Sequence, residues 1–370
     1  MQKHIKENEN VIYGDLSQLD KAKITFNGKN NILFLTPKCR LKNSNISFGG
    51  DNALVFLGDS TTLLNITLHS NCLFYGGNSN YYNPGGVRSF LLSERKNIII
   101  GDNSLFSFNI WFRNADPHLI YDNDTNMRIN FTKSIYIGDH IWFGQDIGVT
   151  KGVFVASGAV IGAKSMLCRN CYSNTANAGN PVKEVKSNIF WRGECVHNWD
   201  KNRTKRYEKV QGDDFKYTYN QNEFLSPKAI EEKLDSLETA HEKLEFIYDA
   251  IYCNKNKNRF AYFKDKPYDL PLPKYESKFK LLKFEEIQPT PPKPAMPQPS
   301  PQELEIKALQ EKIKELETNH QKALKLKNHL SYKLGQALIK ANKTWYKGGY
   351  VKFIFELIRI NKEHKNCKPN

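Results

Sequence analysis

Six apolar residues recur at an unbroken spacing of six: Ile137, Phe143, Val149, Val155, Ile161 and Leu167. Small residues follow close behind, at Gly138, Gly144, Ala156 and Gly162. An amphipathic helix repeats at 3.6 and a half-buried strand at 2, so neither accounts for this period. A coil of three short strands does, because each flat face turns one aliphatic side chain inward per six residues and each corner is rounded on a small residue. Stacked coils share one apolar column. Residues 137–180 therefore predict a mainly β fold, a parallel β-solenoid.

Before this stretch, residues 11–100 are rich in Asn, Gly, Thr and β-branched or aromatic side chains. Short apolar clusters, ILFL at Ile32, ALVFL at Ala53 and CLFY at Cys72, alternate with turn residues, as expected of many short strands. They read as early, irregular coils of the same solenoid, with residues 78–89 as a loop leaving it; a separate small β-domain is the alternative. The register returns at Ile100, Phe106 and Phe112 and then breaks. Residues 113–136 place polar and turn residues at the inward positions, so they must protrude as a loop, a common carrier of chemistry on a rigid scaffold. This loop contains His118.

The solenoid is expected to end at Asn180 and Pro181, giving a β-domain over residues 1–195. Residues 196–285 form a capping and helical region: the mixed stretch 182–225, with Trp191 and Trp199, covers the open end. Ser226 and Pro227 then start one amphipathic helix running to about Tyr252, with Ile230, Leu234, Leu237, Leu244, Ile247 and Ile251 on one face. Residues 286–302 are a Pro-rich linker. Over residues 303–340 a heptad seam of Ile306, Leu309, Ile313, Leu316, Ala323, Leu330, Leu334 and Ala337, interrupted by His320 and Lys327, predicts a coiled coil. Residues 341–370 form a basic amphipathic tail.

Charge sharpens the last point. The 370-residue chain carries 54 Lys and Arg against 39 Asp and Glu, a net +15. Residues 1–200 hold 20 basic and 16 acidic side chains, leaving 34 and 23 for residues 201–370, so +11 of the +15 lies in the second part. Aromatic and aliphatic residues interleave the tail's cations, a pattern suited to an anionic bilayer; without a recognised nucleic-acid module, membrane is the preferred partner and nucleic acid is not expected. The polar start MQKHIKENEN lacks a secretory core, and seven scattered cysteines read as reduced, so a cytoplasmic location at the inner face of the inner membrane is expected. Cys168 and Cys171 form a lone CxxC with no second pair, and no metal site is expected.

The stretches ADPHLIYD at Ala115, IGDHIWFGQDIGVTKGV at Ile137, GAVIGAKSML at Gly158 and NTANAGNPVKEVKSNIFW at Asn174 resemble the hexapeptide-repeat acyltransferases. The likeness is to the branch that O-acetylates sugars, including capsule and sialic acid O-acetyltransferases. It covers residues 98–190 firmly, and it implies a left-handed parallel β-helix, here with appended C-terminal helices and a coiled coil. The implied co-substrate is acetyl-CoA, and the implied assembly is a homotrimer with active sites between neighbouring walls.

Within that likeness His118 occupies the place of the family's catalytic histidine. A sugar hydroxyl needs a proton acceptor that works near neutrality, which suits imidazole. Asp116 or Asp122 could orient the ring. Trp142 should face outward on the wall beside the loop, packing on the thioester arm of coenzyme A and screening water. Pantetheine would lie against backbone amides near Gly144 and Ala163, and Lys164 and Lys183 stand at the family's phosphate-binding positions. Trp111, Arg113 and Tyr121 are the acceptor candidates, an aromatic platform with one cation that fits an acidic sugar. The expected activity is acetyl-CoA-dependent O-acetylation of a bacterial surface glycan, capsule or lipooligosaccharide. An N-acyltransferase of a nucleotide-linked amino sugar and a non-catalytic glycan-binding scaffold are the alternatives.

Overall fold

The computed structural model describes residues 1–86, 88–210, 212, 214–288 and 301–366. It divides into two units, residues 1–289 and 290–370. Most of the Pro-rich linker, residues 289–300, lies outside the described residues.

The first unit is a parallel β-solenoid of about 7 turns. Its first face stacks seven parallel strands, from Val11–Tyr13 through Ile32–Leu35, Leu54–Leu57, Leu73–Gly76, Asn97–Ile100 and Ile135–Ile137 to Phe154–Val155. The second face runs from Lys23–Phe26 to Met166–Leu167, also in seven strands. The third is split into a three-stranded and a six-stranded sheet, the latter containing Leu105–Phe106, Trp142–Phe143 and Val160–Ile161. The sixfold column maps onto these faces in rotation. Ile137 and Val155 point in from the first face, Phe143 and Ile161 from the third, Val149 and Leu167 from the second, and all six are buried in one core.

The early coils belong to the same solenoid, and their looseness has a physical cause. First-face partners Ile12 and Leu33, Leu33 and Val55, Val55 and Phe74, and Phe74 and Ile98 lie 21, 22, 19 and 24 residues apart, against 18 for Tyr136 and Phe154. Extra corner residues spoil the count of six without spoiling the pairing. Runs such as Ile32–Leu35 are apolar at every position because this face is covered on both sides. Leu33 and Leu35 point into the solenoid, while Ile32 and Phe34 point out.

What covers the outside is the helical region, which corrects two expectations. The single helix over 226–252 is instead two: α2, Pro227–Asp235, capped by Ser226, and α3, Ala240–Phe246, capped by Thr239 and continued by a wider turn over Ile247–Tyr252. Thr239 and Glu242 form a reciprocal capping box that starts the second helix. Ile230, Leu234, Leu244, Ile247 and Ile251 pack on Phe34, Phe56, Tyr75 and Tyr136, along the first face. Nor does Trp191 cover the coil end: it lies against His140, at the corner between first and third faces, and a short helix, α1, Lys201–Arg206, follows it.

The second unit corrects the heptad reading. Helix α4 spans Pro301–Asn328, but His329 leaves helical geometry at φ −66°, ψ 135°, and α5 starts afresh at Leu330–Lys343. The seam therefore does not continue in one helix to Ala337. A turn at Trp345–Lys347 reverses the chain into α6, Gly349–Asn366, which packs back on α5 with Ala341 and Ile360 buried.

Candidate active site

The inserted loop is an ordered arm. It leaves strand Ile110–Arg113 on the second face and returns at Ile135–Ile137 on the first, so partners Ile98 and Ile135 lie 37 residues apart. Its far half closes as a hairpin: Tyr121 bridges Arg128, and the amides of Asp122 and Ile129 donate to the carbonyls of Met127 and Ile120 at 2.8 and 3.0 Å. Asn130 ties the base, donating to the His118 carbonyl at 2.7 Å and accepting from the Ile120 amide at 2.9 Å. His118 is held at this base with an exposed side chain.

Neither acidic candidate holds the His118 ring. Asp116 accepts from Lys151 Nζ at 2.5 Å and from Asn130 Nδ2 at 3.3 Å, and Asp122 accepts from the amides of Asp124 and Thr125 and from the Thr125 hydroxyl. Asp116 anchors the arm to the next coil, and Asp122 caps the hairpin turn. The expectation that one of them orients the imidazole is corrected accordingly.

A second anchor was not visible in the sequence. Arg128 donates to both oxygens of Glu94 at 2.7 and 2.9 Å, and the Thr132 hydroxyl shares that carboxylate. These donors, Arg128 first, bring the Glu94 pKa down to about 2. The partners are separated by 34 residues, so no local pattern marks them. Beyond the anchors, Leu119, Ile120, Tyr121, Met127, Ile129 and Phe131 are all at least half exposed.

Trp142 is 43% exposed and points outward as expected. It does not stand beside the arm. The solenoid is three-sided, and the arm leaves the corner between the first and second faces, opposite the third face that carries Trp142. Gly144 lies at the end of that same face, Ala163 and Lys164 form the corner that follows it, and the strand Lys183–Lys186 is its edge, with Lys164 and Lys183 exposed. The Gly144 amide donates to the Ile161 carbonyl at 2.8 Å, and a Cβ on Gly144 would stand 2.7 Å from the Ala163 amide nitrogen, so only glycine lets the coils approach here. Trp111 and Arg113 lie on the second face leading into the arm, the guanidinium 5.8 Å from the Trp111 ring centre; Tyr121 is on the arm itself. One chain thus gathers the proposed donor residues on and beside one face and the proposed base and acceptor residues at the opposite corner.

Behind Trp142 is a buried aromatic stack. Trp191 lies 5.9 Å from it and stacks on His140, with Phe215 on the other side of the imidazole at 4.3 Å. Burial pushes the His140 pKa down. A neutral ring satisfies both nitrogens, Nε2–H donating to the Trp191 carbonyl at 3.1 Å and Nδ1 accepting from Asn103 at 3.3 Å. One residue earlier, Asp139 accepts from Arg259 Nε and Nη2 at 2.8 and 2.7 Å, and Asp102 lies 3.2 Å from the same guanidinium. Burial would raise the Asp102 pKa, but Arg259 and Lys255 outweigh it and hold it low. This pair pins the helical cover to the corner beside Trp142. Cys168 is exposed and Cys171 buried, both as thiols.

Comparison with known proteins adds identity to this geometry. Residues 301–366 match a domain of unknown function (DUF8374). The chain is 28% identical over 194 residues to the polysialic acid O-acetyltransferase of Neisseria meningitidis, covering 52% of this chain and 89% of that protein. It is 30% identical over 101 residues to the polysialic acid O-acetyltransferase of Escherichia coli O1:K1, spanning 27% of this chain and only 33% of the relative. The crystal structure of the polysialic acid-specific acetyltransferase NeuO is similar at a TM-score of 0.48 and 29% identity, over 54% of this chain and 87% of that one. Repeat and fold are similar to those of the hexapeptide-repeat acetyltransferases. Its homologues are polysialic acid O-acetyltransferases and other hexapeptide-repeat acetyltransferases.

Proposed function

We propose that this protein transfers the acetyl group of acetyl-CoA to a hydroxyl of a sialic acid-containing surface glycan, of capsule or lipooligosaccharide. The observation that carries this is the relationship to a polysialic acid O-acetyltransferase along 89% of that relative's length. His118 takes the proton of the sugar hydroxyl as its oxygen attacks the thioester carbonyl; the C–S bond breaks, and the proton passes to the departing thiolate of coenzyme A. Trp142 packs on the thioester arm, the groove at Gly144 and Ala163 receives pantetheine, and Lys164 and Lys183 meet the phosphates. Trp111, Arg113 and Tyr121 receive the acceptor, the guanidinium pairing with its carboxylate.

The catalytic unit is a homotrimer, in which the His118 arm of one subunit reaches the Trp142 face of the next. The exposed apolar side chains of the arm, and the separation of His118 from Trp142 within one chain, support this assembly. The seam Ile306, Leu309, Ile313 and Leu316 on α4 is a self-association surface, and the basic C-terminal unit holds the enzyme at an anionic membrane.

The test is release of free coenzyme A thiol from acetyl-CoA in the presence of oligosialic acid. Acceptor-dependent release, abolished by His118→Ala and yielding a base-labile ester, is the expected result. Turnover that His118→Ala leaves intact, or none with any sialylated acceptor, overturns the proposal.

A further inference from the structure

Helices α5 and α6 form a hairpin whose outer face is exposed among the described residues of the second unit. Gly348, at φ 78°, and Gly349, where a Cβ would stand 2.4 Å from the Ala341 carbonyl oxygen, permit the tight reversal. Ile360 then buries against α5. Turned away from it are Val351, Ile354, Phe355 and Ile358, at the i, i+3, i+4, i+7 spacing of a single helical stripe, each more than half exposed. Trp345 and Tyr346 continue this edge at the turn and are the most exposed aromatic pair of the hairpin.

Charge says what covers such a stripe. Residues 330–366 carry eight Lys and Arg against Glu356 and Glu363, a net +6, and both glutamates already face Arg359, at 2.5 and 3.9 Å. The remaining cations, Lys347, Lys352 and Lys362 among them, flank or end the apolar stripe. A protein groove complementary to the stripe would have no need of that uncompensated charge, and nucleic acid would have no use for the stripe itself. An anionic bilayer uses both: aliphatic side chains enter the acyl boundary, Trp and Tyr sit at headgroup level, and lysines meet phosphates. Among the described residues no helix is long and apolar enough to cross a membrane.

Resting on the membrane placement proposed above, we infer that the α5–α6 hairpin is the docking element, with α6 lying in the plane of an anionic bilayer, its Val351/Ile354/Phe355/Ile358 stripe inserted and Trp345 at the headgroups. This assigns a lipid-surface function to the matched domain of unknown function and keeps the transferase close to membrane-borne glycan.

The experiment is co-sedimentation of the full chain with phosphatidylcholine vesicles with and without phosphatidylglycerol. Binding is expected only with the anionic lipid, and Ile354→Asp together with Phe355→Asp should weaken it about tenfold or more. Trp345 emission should shift to the blue on binding, and the shift should vanish in Trp345→Phe while binding persists. Thiol release with a soluble acceptor serves as the folding control and should be unchanged in every variant. No binding to anionic vesicles overturns the placement and the hairpin together. Binding that survives Ile354→Asp/Phe355→Asp overturns the hairpin alone. A smaller oligomer in light scattering, without loss of vesicle binding, assigns the stripe to a second copy of the chain and likewise overturns the inference.

Discussion

The imidazole of His140 lies flat on the indole of Trp191, ring centres 3.9 Å apart and planes 6° from parallel. Each ring also bonds the other residue's backbone carbonyl, His140 Nε2 to Trp191 at 3.1 Å and Trp191 Nε1 to His140 at 3.0 Å. The segment after the last strand is thereby locked to the corner that precedes Trp142. Replacing Trp191 by Ala should destabilise the protein by about 3–5 kcal/mol, the range for a large buried aromatic. Because Trp142 loses its backing, the KM for acetyl-CoA should also rise. Thermal melts and initial rates measure the two effects separately.

The same ring gives stability a pH dependence with a definite sign. Unfolded, His140 takes up its proton near the ordinary imidazole value of ~6.5; folded, burial delays that uptake to lower pH. The contribution of the neutral ring is therefore complete above about pH 6.5 and declines as pH falls below it. Urea unfolding at pH 7.5 and 5.5, compared with His140→Asn, should show a shallower loss in the variant.

Glu94→Gln removes the charge of the carboxylate that Arg128 and Thr132 grip. The pair is partly exposed at the surface, so stability should change by no more than about 1 kcal/mol. Looser positioning of His118 should instead lower kcat about tenfold, with KM for acetyl-CoA unchanged. In the wild type the clasp is whole above the ordinary carboxylate pKa and is lost as pH falls towards about 2. Steady-state kinetics on the variant decide the matter: a change in KM alone would contradict this account of the arm.

On the proposed phosphate-binding role, Lys164→Ala and Lys183→Ala are each expected to raise KM for acetyl-CoA about three- to tenfold and to leave kcat nearly unchanged, since such contacts act equally in ground and transition states. Both side chains are exposed, so melting temperatures should not move. Saturation curves in low and high salt provide the check, the high-salt difference being smaller.

Arg259→Met leaves two carboxylates, buried Asp139 and partly buried Asp102, without their shared cation. Removing one partner of such a group costs about 3–5 kcal/mol. Adding Asp139→Asn should recover part of that loss, because the orphaned charge is what destabilises. Denaturant midpoints of the single and double variants give the coupling directly.

How far these features could be read in advance follows from their range along the chain. The column from Ile137 to Leu167 was legible because successive faces each demand one inward side chain at a fixed interval. The early coils were harder, since corner insertions stretch the interval and a doubly covered face hides alternation. Outward exposure of Trp142 followed from its neighbours in sequence; its position opposite the arm depends on which corner the arm leaves, a property of the closed coil. Glu94, Asn130 and Arg259 act through partners 10 to 120 residues away, beyond any local pattern. The break at His329 escaped a heptad count because apolar spacing reports a seam and says nothing of backbone continuity.

The arm between Arg113 and Ile135 has a wider meaning. The strands on either side of it pair with their neighbours in the same register as coils that lack any insertion, so the scaffold is indifferent to what is spliced in at that corner. Two ion pairs, Glu94 with Arg128 and Asp116 with Lys151, fasten the insert to the wall, helped by the Thr132 hydroxyl on Glu94 and by Lys151 on the Asn130 carbonyl. Such a part can lengthen, shorten or be exchanged between relatives while the barrel of coils stays as it is.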